Sequence, residues 1–313
     1  MKNKTKAYIS GISIVLSSML AVNVYADDYP LKQVSDGIFY HQGAQEDANQ
    51  HNKGEIANTG FIVGDKCIAV VDSGGSYLEG KALFEAIREK SDLPICYVIN
   101  THAHPDHFLG NAAFKETKAT FIGNDKMPAA IEARKAFYET RFSDILGEYY
   151  KGTEFIEPTR LVSVGEPLTI DLGGRELVLN SYPTSHTDND LTVLDKKTKT
   201  LWTGDLLFVK RIPALDGSIN GWLSTIEALK SMKLNAVIPG HGPAQHEEWQ
   251  QAFDDEAHYF STIREQIRAI INNMGTINEA TESVGLSEKG KWLLFDDYHK
   301  RNITAAFTEL EWE

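Results

Sequence analysis

Cysteine is scarce: the 313 residues hold two, Cys67 and Cys96. Neither is placed to bind a metal. Both sit early in apolar runs, CIAVVD and CYVINT, that read as buried strands ending at the loop residues Asp72 and Thr101. If those strands are parallel neighbours in register, the sulfurs could bridge, since adjacent strands run about 4.8 Å apart. Two buried free thiols fit the pattern equally well. Long apolar runs are missing after residue 26, which excludes a membrane span there. Basic residues are also short, with 31 Lys and Arg against 44 Asp and Glu and a formal charge of −13. That surface repels phosphate backbones and shows no basic groove, so no nucleic-acid partner is expected. Low-complexity tracts and short-period repeats are absent.

The first 26 residues have a different character. MKNKTK carries three lysines, AYISGISIVLSSMLAV is apolar, and Val24 and Ala26 are small residues ahead of Asp27. This is the layout of a secretory signal peptide, residues 1–26, cut after Ala26. An uncleaved anchor fits less well, because the run is short and broken by serines and Gly11. Cleavage takes the charge from −13 to −16 and leaves a periplasmic or secreted chain without a stable membrane anchor.

From residue 27, short apolar runs alternate with amphipathic segments, which predicts an α/β architecture. GFIVGDKCIAVVD, PLTIDLGGRELVLNSY and DLTVLDKKTKTLWTGD read as hairpins. SYLEGKALFEAIREKS, MPAAIEARKAFYETRF and GWLSTIEALKSMK read as helices. The alternation falls into two rough halves around residue 160. Residues 27–243 form one unit, and residues 244–313 turn helical and pack on it, with Phe260, Ile263, Ile267, Ile270 and Met274 on one face.

Polar residues gather where the apolar runs end: Asp72 after CIAVV, His102 after CYVINT, Asp205 in LWTGD, His241 in AVIPGH and His186 after VLNSYPTS. Open α/β sheets place their sites at the carboxyl ends of strands. The densest stretch, THAHPDHFLGN, puts His102, His104, Asp106 and His107 within six positions. Alternate residues of an extended loop point the same way, so His102 and His104 can grip one ion while Asp106 and His107 turn towards a second. His186, His241 and Asp205 are the remaining donors. His41 and His51, in the polar stretch 41–60 that reads as a flap, are taken as surface residues.

THAHPDH, SHTDND, TGD and PGHG, in that order, resemble the metallo-β-lactamase superfamily. The resemblance implies an αββα sandwich with a C-terminal helical segment. It implies that His102, His104 and His186 hold one metal and Asp106, His107 and His241 a second. Asp205 would bridge them, and Asp72 would orient the histidine loop from behind. Two zinc ions are expected, with manganese or iron also compatible with such donors. The implied chemistry is hydrolysis of an ester, lactone, thioester or amide by a hydroxide shared between ions about 3.5–4 Å apart, with Asp106 aiming it. Lys210 and Arg211 are candidate contacts for a substrate carboxylate, with a solvated basic pair as the alternative.

Aspartate at position 205 resembles the thioesterase and lactonase branches, because the best-known zinc β-lactamases carry cysteine there. Histidine at position 104 favours hydrolysis over the redox members, which have glutamate. GEIANTGFIVGD, LPICYVINTHAHPDH, PALDGSINGWL and RNITAAFTELEWE look like the quinoprotein relay system zinc metallohydrolases. That resemblance implies a small-molecule substrate and a role beside a periplasmic quinoprotein dehydrogenase that uses PQQ. The alternatives are a class B-like metallo-β-lactamase and a non-catalytic metal-bearing partner of a quinoprotein system. A glutathione thioesterase fits poorly, since residues 244–313 hold 14 acids against six bases.

Overall fold

The computed structural model describes residues 29–313, so the expected signal peptide and its cut after Ala26 lie outside the described residues. The first sheet opens as a meander: β1 (Leu31–Ser35), β2 (Ile38–His41), β3 (Thr59–Val63) and β4 (Ile68–Val71) pair antiparallel. It continues with parallel strands β5 (Ile95–Ile99), β6 (Thr120–Asn124) and β7 (Arg160–Val162). Parallel neighbours need crossovers. These are α1 (Tyr77–Lys90), a segment containing α2 (Pro105–Phe108), and α3 (Met127–Leu146).

The second sheet runs β12-β11-β10-β9-β8. It is built from β8 (Leu168–Asp171), β9 (Glu176–Ser181), β10 (Leu191–Asp195), β11 (Thr200–Phe208) and β12 (Ala236–His241). Only β11 and β12 are parallel, linked through α4 (Ile219–Lys230). The tail forms α5 (Trp249–Asn272), α6 (Ile277–Ser283) and α7 (Phe295–Leu310).

Strand alternation sorts the side chains into layers. In β4, Ala69 and Val71 face the inter-sheet core with Leu179, Val193 and Trp202, while Ile68 and Val70 pack with Leu83 and Ile87 of α1. On the far side, Leu201 and Val237 meet Trp222 and Ile226 of α4, Phe253, Phe260 and Ile263 of α5, and Ile303 and Phe307 of α7. The result is a four-layer αββα sandwich with C-terminal helices, as expected. One face residue departs from expectation. Helix α5 ends at Asn272, and Met274, with φ +58°, is 93% exposed beyond it.

The cysteine alternatives are resolved in favour of the bridge: Cys67 and Cys96 are disulfide-bonded, with Cα atoms 5.8 Å apart. Strands β4 and β5 are parallel neighbours, and their register shifts between Ile68 and Ala69, beside the bridge. The SGGS turn after β4 is helix-starting structure. Ser76 caps α1 through the Glu79 N–H, and Glu79 accepts the Gly75 N–H at 2.6 Å.

Candidate metal centre

Carboxyl ends of strands from both sheets converge at one edge of the sandwich. Strand β5 delivers Thr101 and His102, α2 carries Asp106 and His107, and β12 ends on His241. Asp205 lies inside β11 rather than at its end. Pairing with β12 is irregular around Gly204, where φ is +52° and Thr101 occupies the space a Cβ would need. Glycine is required there by both conformation and contact, and this irregularity points the Asp205 carboxylate at the histidines.

The donors fall into two groups, His102, His104, His186 and Asp205 in one and Asp106, His107 and His241 in the other. Within each, the ligand atoms lie within 4.8 Å of one another. Asp205 reaches both. Oδ1 is 3.1 Å from His107 Nε2, and Oδ2 is 3.4 Å from His186 Nε2 and His241 Nε2 and 3.7 Å from His102 Nε2. Asp106 Oδ2 is 3.3 Å from His241 Nε2.

Each histidine spends its other ring nitrogen on an oxygen acceptor, and this sets the tautomer. His107 Nδ1 donates to Asp72 at 2.8 Å, and His241 Nδ1 to the Ile56 carbonyl at 2.8 Å. His186 Nδ1 donates to the Ala214 carbonyl at 2.7 Å. His102 Nδ1 donates to Thr101 Oγ1 at 3.1 Å, and that hydroxyl donates onward to Asp72 at 2.8 Å. His104 is reversed, with Nε2 donating to Asp216 at 3.2 Å. Five ring nitrogens are thus left facing inward.

Such an arrangement calls for cations. His104 Nδ1 and His186 Nε2, both lone-pair atoms, face each other at 3.0 Å. Among the described residues, His102 Nε2 is buried without any hydrogen-bond partner. Burial pushes His102 well below the usual imidazole range and His186 down to about 3, so both are neutral donors. Burial would lower His107 and His241 too, but the carboxylates, Asp205 foremost, raise both. Imidazole and carboxylate donors in this number suit zinc and similar divalent ions.

Several supporting residues were not singled out as such in the sequence. Thr101 links His102 to Asp72, and Asn189 Oδ1 accepts the Ala103 N–H at 2.8 Å, fixing the histidine loop. Asp216 comes from 112 residues beyond His104. Asp190, which accepts the Thr187 N–H and hydroxyl, is pushed up to about 8 by burial.

The two basic candidates part ways. Lys210 is exposed and lines a separate cavity with Gln245, Glu248 and Lys291. Arg211 is buried, donates to the Glu46 carbonyl and Tyr298 Oη at 3.1 Å each, and comes within 3.4 Å of His241 Nδ1. It ties the polar segment after β2 to α7. The far end of that segment is held by Asn58, which donates to the Pro239 and Gly242 carbonyls at 2.8 and 2.7 Å. His51 is exposed as expected, but His41 is buried and stacked on Tyr29 at 3.8 Å. Neither belongs to the donor groups.

Comparison with known proteins agrees with this geometry. The family model of the metallo-beta-lactamase superfamily matches residues 52–241. Metallo-beta-lactamase IND-1 from Chryseobacterium indologenes is 26% identical over 202 residues, 62% of this chain and 73% of that protein. Metallo-beta-lactamase type 2 from Bacillus sp. (strain 170) is 23% identical over 250 residues, 76% and 87%. Among solved structures, a metallo-beta-lactamase from Pontibacter korlensis superposes with TM-score 0.59 and TMB-1 with 0.55. Each is 17% identical, covering 74% of this chain and 98% of the other. The chain belongs to the metallo-β-lactamase superfamily and is, like these relatives, a metal-dependent hydrolase.

Proposed function

We propose that the protein is an exported binuclear zinc hydrolase of carbonyl substrates such as esters, lactones, thioesters or amides. The observation that carries this is the set of five inward-facing imidazole nitrogens and two carboxylates, with Asp205 within 3.1–3.7 Å of four histidines spread over both groups. His102, His104 and His186 would hold one metal and Asp106, His107 and His241 the other, with Asp205 shared. Bound there, two divalent metals supply Lewis-acid activation of a carbonyl and of a water near neutral pH. Asp106 has the more open carboxylate, with 14% of its side chain exposed against 4% for Asp205. It would accept a hydrogen bond from the attacking water and direct it. The resemblance of PALDGSINGWL and the C-terminal RNITAAFTELEWE to the quinoprotein relay system hydrolases supports a place beside periplasmic quinoprotein metabolism. The lysine-led apolar N-terminus supports export.

A second reading, β-lactam hydrolysis, is favoured by the relatives IND-1 and type 2, whose names carry that activity. Aspartate at position 205 argues the other way. One experiment separates them: zinc-loaded protein is offered a chromogenic cephalosporin beside a panel of lactones and esters, with His102→Ala as the blank. Cephalosporin turnover with kcat/KM above about 10⁴ M⁻¹s⁻¹ selects the β-lactamase. Lactone or ester turnover, lost in the variant, selects the broader hydrolase. A protein that binds zinc and turns over nothing in the panel is no hydrolase of this kind.

A further inference from the structure

His104 differs from the other four histidines in how it is held. Its side chain is 18% exposed, whereas those of His102, His107, His186 and His241 lie between 0% and 3%. Packing therefore fixes four rings and leaves the fifth to its hydrogen bond. That bond runs from His104 Nε2 to Asp216 Oδ2 at 3.2 Å, and Arg134 Nη1 of α3 donates to the same oxygen at 2.6 Å. Arg134 also reaches the buried Tyr138 Oη at 3.3 Å. The Asp216 main chain is anchored as well, since its N–H donates to the His186 carbonyl at 3.2 Å. Two residues earlier, the Ala214 carbonyl receives His186 Nδ1. One short loop thus orients two donors of the same group.

We propose that Asp216, steered by Arg134, is a positioning residue for the three-histidine group. It keeps the His104 proton on Nε2, turns Nδ1 inward towards His186, and adds negative charge behind the ring. Hydrogen-bond acceptors of this kind fix ring orientation and raise ligand basicity. The inference rests on the two-metal reading above. A purely structural role fits poorly, because Asp216 and Arg134 have side chains 42% and 46% exposed. They line a cavity of about 680 Å³ rather than fill the core.

The test is zinc binding by competition with a chelator, together with melting of the metal-free protein. Wild type should bind two equivalents; fewer would overturn the two-metal reading itself, before any variant is considered. Asp216→Ala should weaken one equivalent about 10–100-fold, leave the other in place, and melt like wild type when metal-free. Arg134→Ala should weaken the same equivalent less, because Asp216 remains. Asp216→Glu should restore part of the affinity, which a role in folding would not predict. Unchanged affinity in Asp216→Ala, or equal loss of both equivalents with a lower metal-free melting temperature, overturns the proposal.

Discussion

Asp72 and His107 are joined by a 2.8 Å hydrogen bond between two fully enclosed side chains, 2% and 0% exposed. The same carboxylate accepts the Thr101 N–H and hydroxyl, each at 2.8 Å. Three donors from the histidine loop therefore end on one acid at the close of β4. Its backbone sits at φ +53°, a conformation that costs energy for any residue with a side chain and that aspartate and asparagine tolerate best.

Asp72→Asn tests this arrangement with little change in shape. Asparagine accepts at one oxygen only and brings two N–H donors against three existing ones. His107 would then present Nδ1 as acceptor and turn an N–H on Nε2 towards the metal. We expect zinc affinity to drop about 10–100-fold at the His107 group. Equilibrium dialysis with metal analysis measures it; affinity equal to wild type would show that Asp72 does not set the tautomer.

Gly240 offers a steric test of the Asp205 placement. A Cβ there would collide with Asp205 Oδ1 and lie 2.7 Å from the Gly204 carbonyl carbon and 2.8 Å from the Asp205 nitrogen. Both strands are buried and central to the site, so the carboxylate must move. Gly240→Ala should reduce hydrolysis by more than about tenfold, since small misplacements of a reacting group carry large rate costs. Circular dichroism should still report the wild-type fold. Full activity would mean that Asp205 has room to move without consequence.

The candidate donor groups were legible in the sequence because ligand chemistry restricts residue type and strand ends restrict position. His102, His104, Asp106 and His107 stand within one heptapeptide, THAHPDH, and His186, Asp205 and His241 each follow or interrupt an apolar run. Asp216 and Thr101 were not legible as supports, because an outer acceptor can come from any loop that folds nearby. Backbone acceptors such as the Ile56 and Ala214 carbonyls leave no trace in residue identity. The location of Arg211 was hidden for a related reason. Its partners on Glu46 and Tyr298 lie 165 and 87 residues away, so a buried tie and a solvated charge read alike.

Acid should reveal a buried ion pair that joins the sheets. Arg175 donates Nε and Nη2 to Asp195 at 2.9 Å each, and donates to the Val63 and Asp36 carbonyls at 2.8 Å. Burial pushes Asp195 up, but the guanidinium fork and Thr198 outweigh it and hold the carboxyl below its ordinary value. A depressed carboxylate stabilises the fold above the unfolded pKa of about 3.9, and that stability is lost as pH falls through the folded value. Asp195→Asn should cost about 3–5 kcal/mol near pH 7, because it leaves Arg175 uncompensated. The gap from wild type should narrow as denaturant melts move from pH 6 to pH 3. A gap independent of pH would assign the loss to packing rather than charge.

The Cys67–Cys96 bridge separates stability from metal binding. It closes a span of 29 residues, which in the chain-entropy model is worth about 3–4 kcal/mol. Paired serine substitutions at Cys67 and Cys96 should lower the urea midpoint, and reductant should bring wild type down to meet them. Metal affinity should behave differently. Cys67 and Asp72 flank β4 from opposite ends, roughly 16 Å apart at the rise of an extended chain. The hydrogen bonds that hold Asp72, Thr101 and His107 together are all made at the far end. Zinc titration of the reduced, still-folded protein should therefore match the oxidised form. A parallel fall in affinity would mean that strain at the bridged end travels along β4 and β5 to the histidines, and that the bond helps to organise the site as well as the fold.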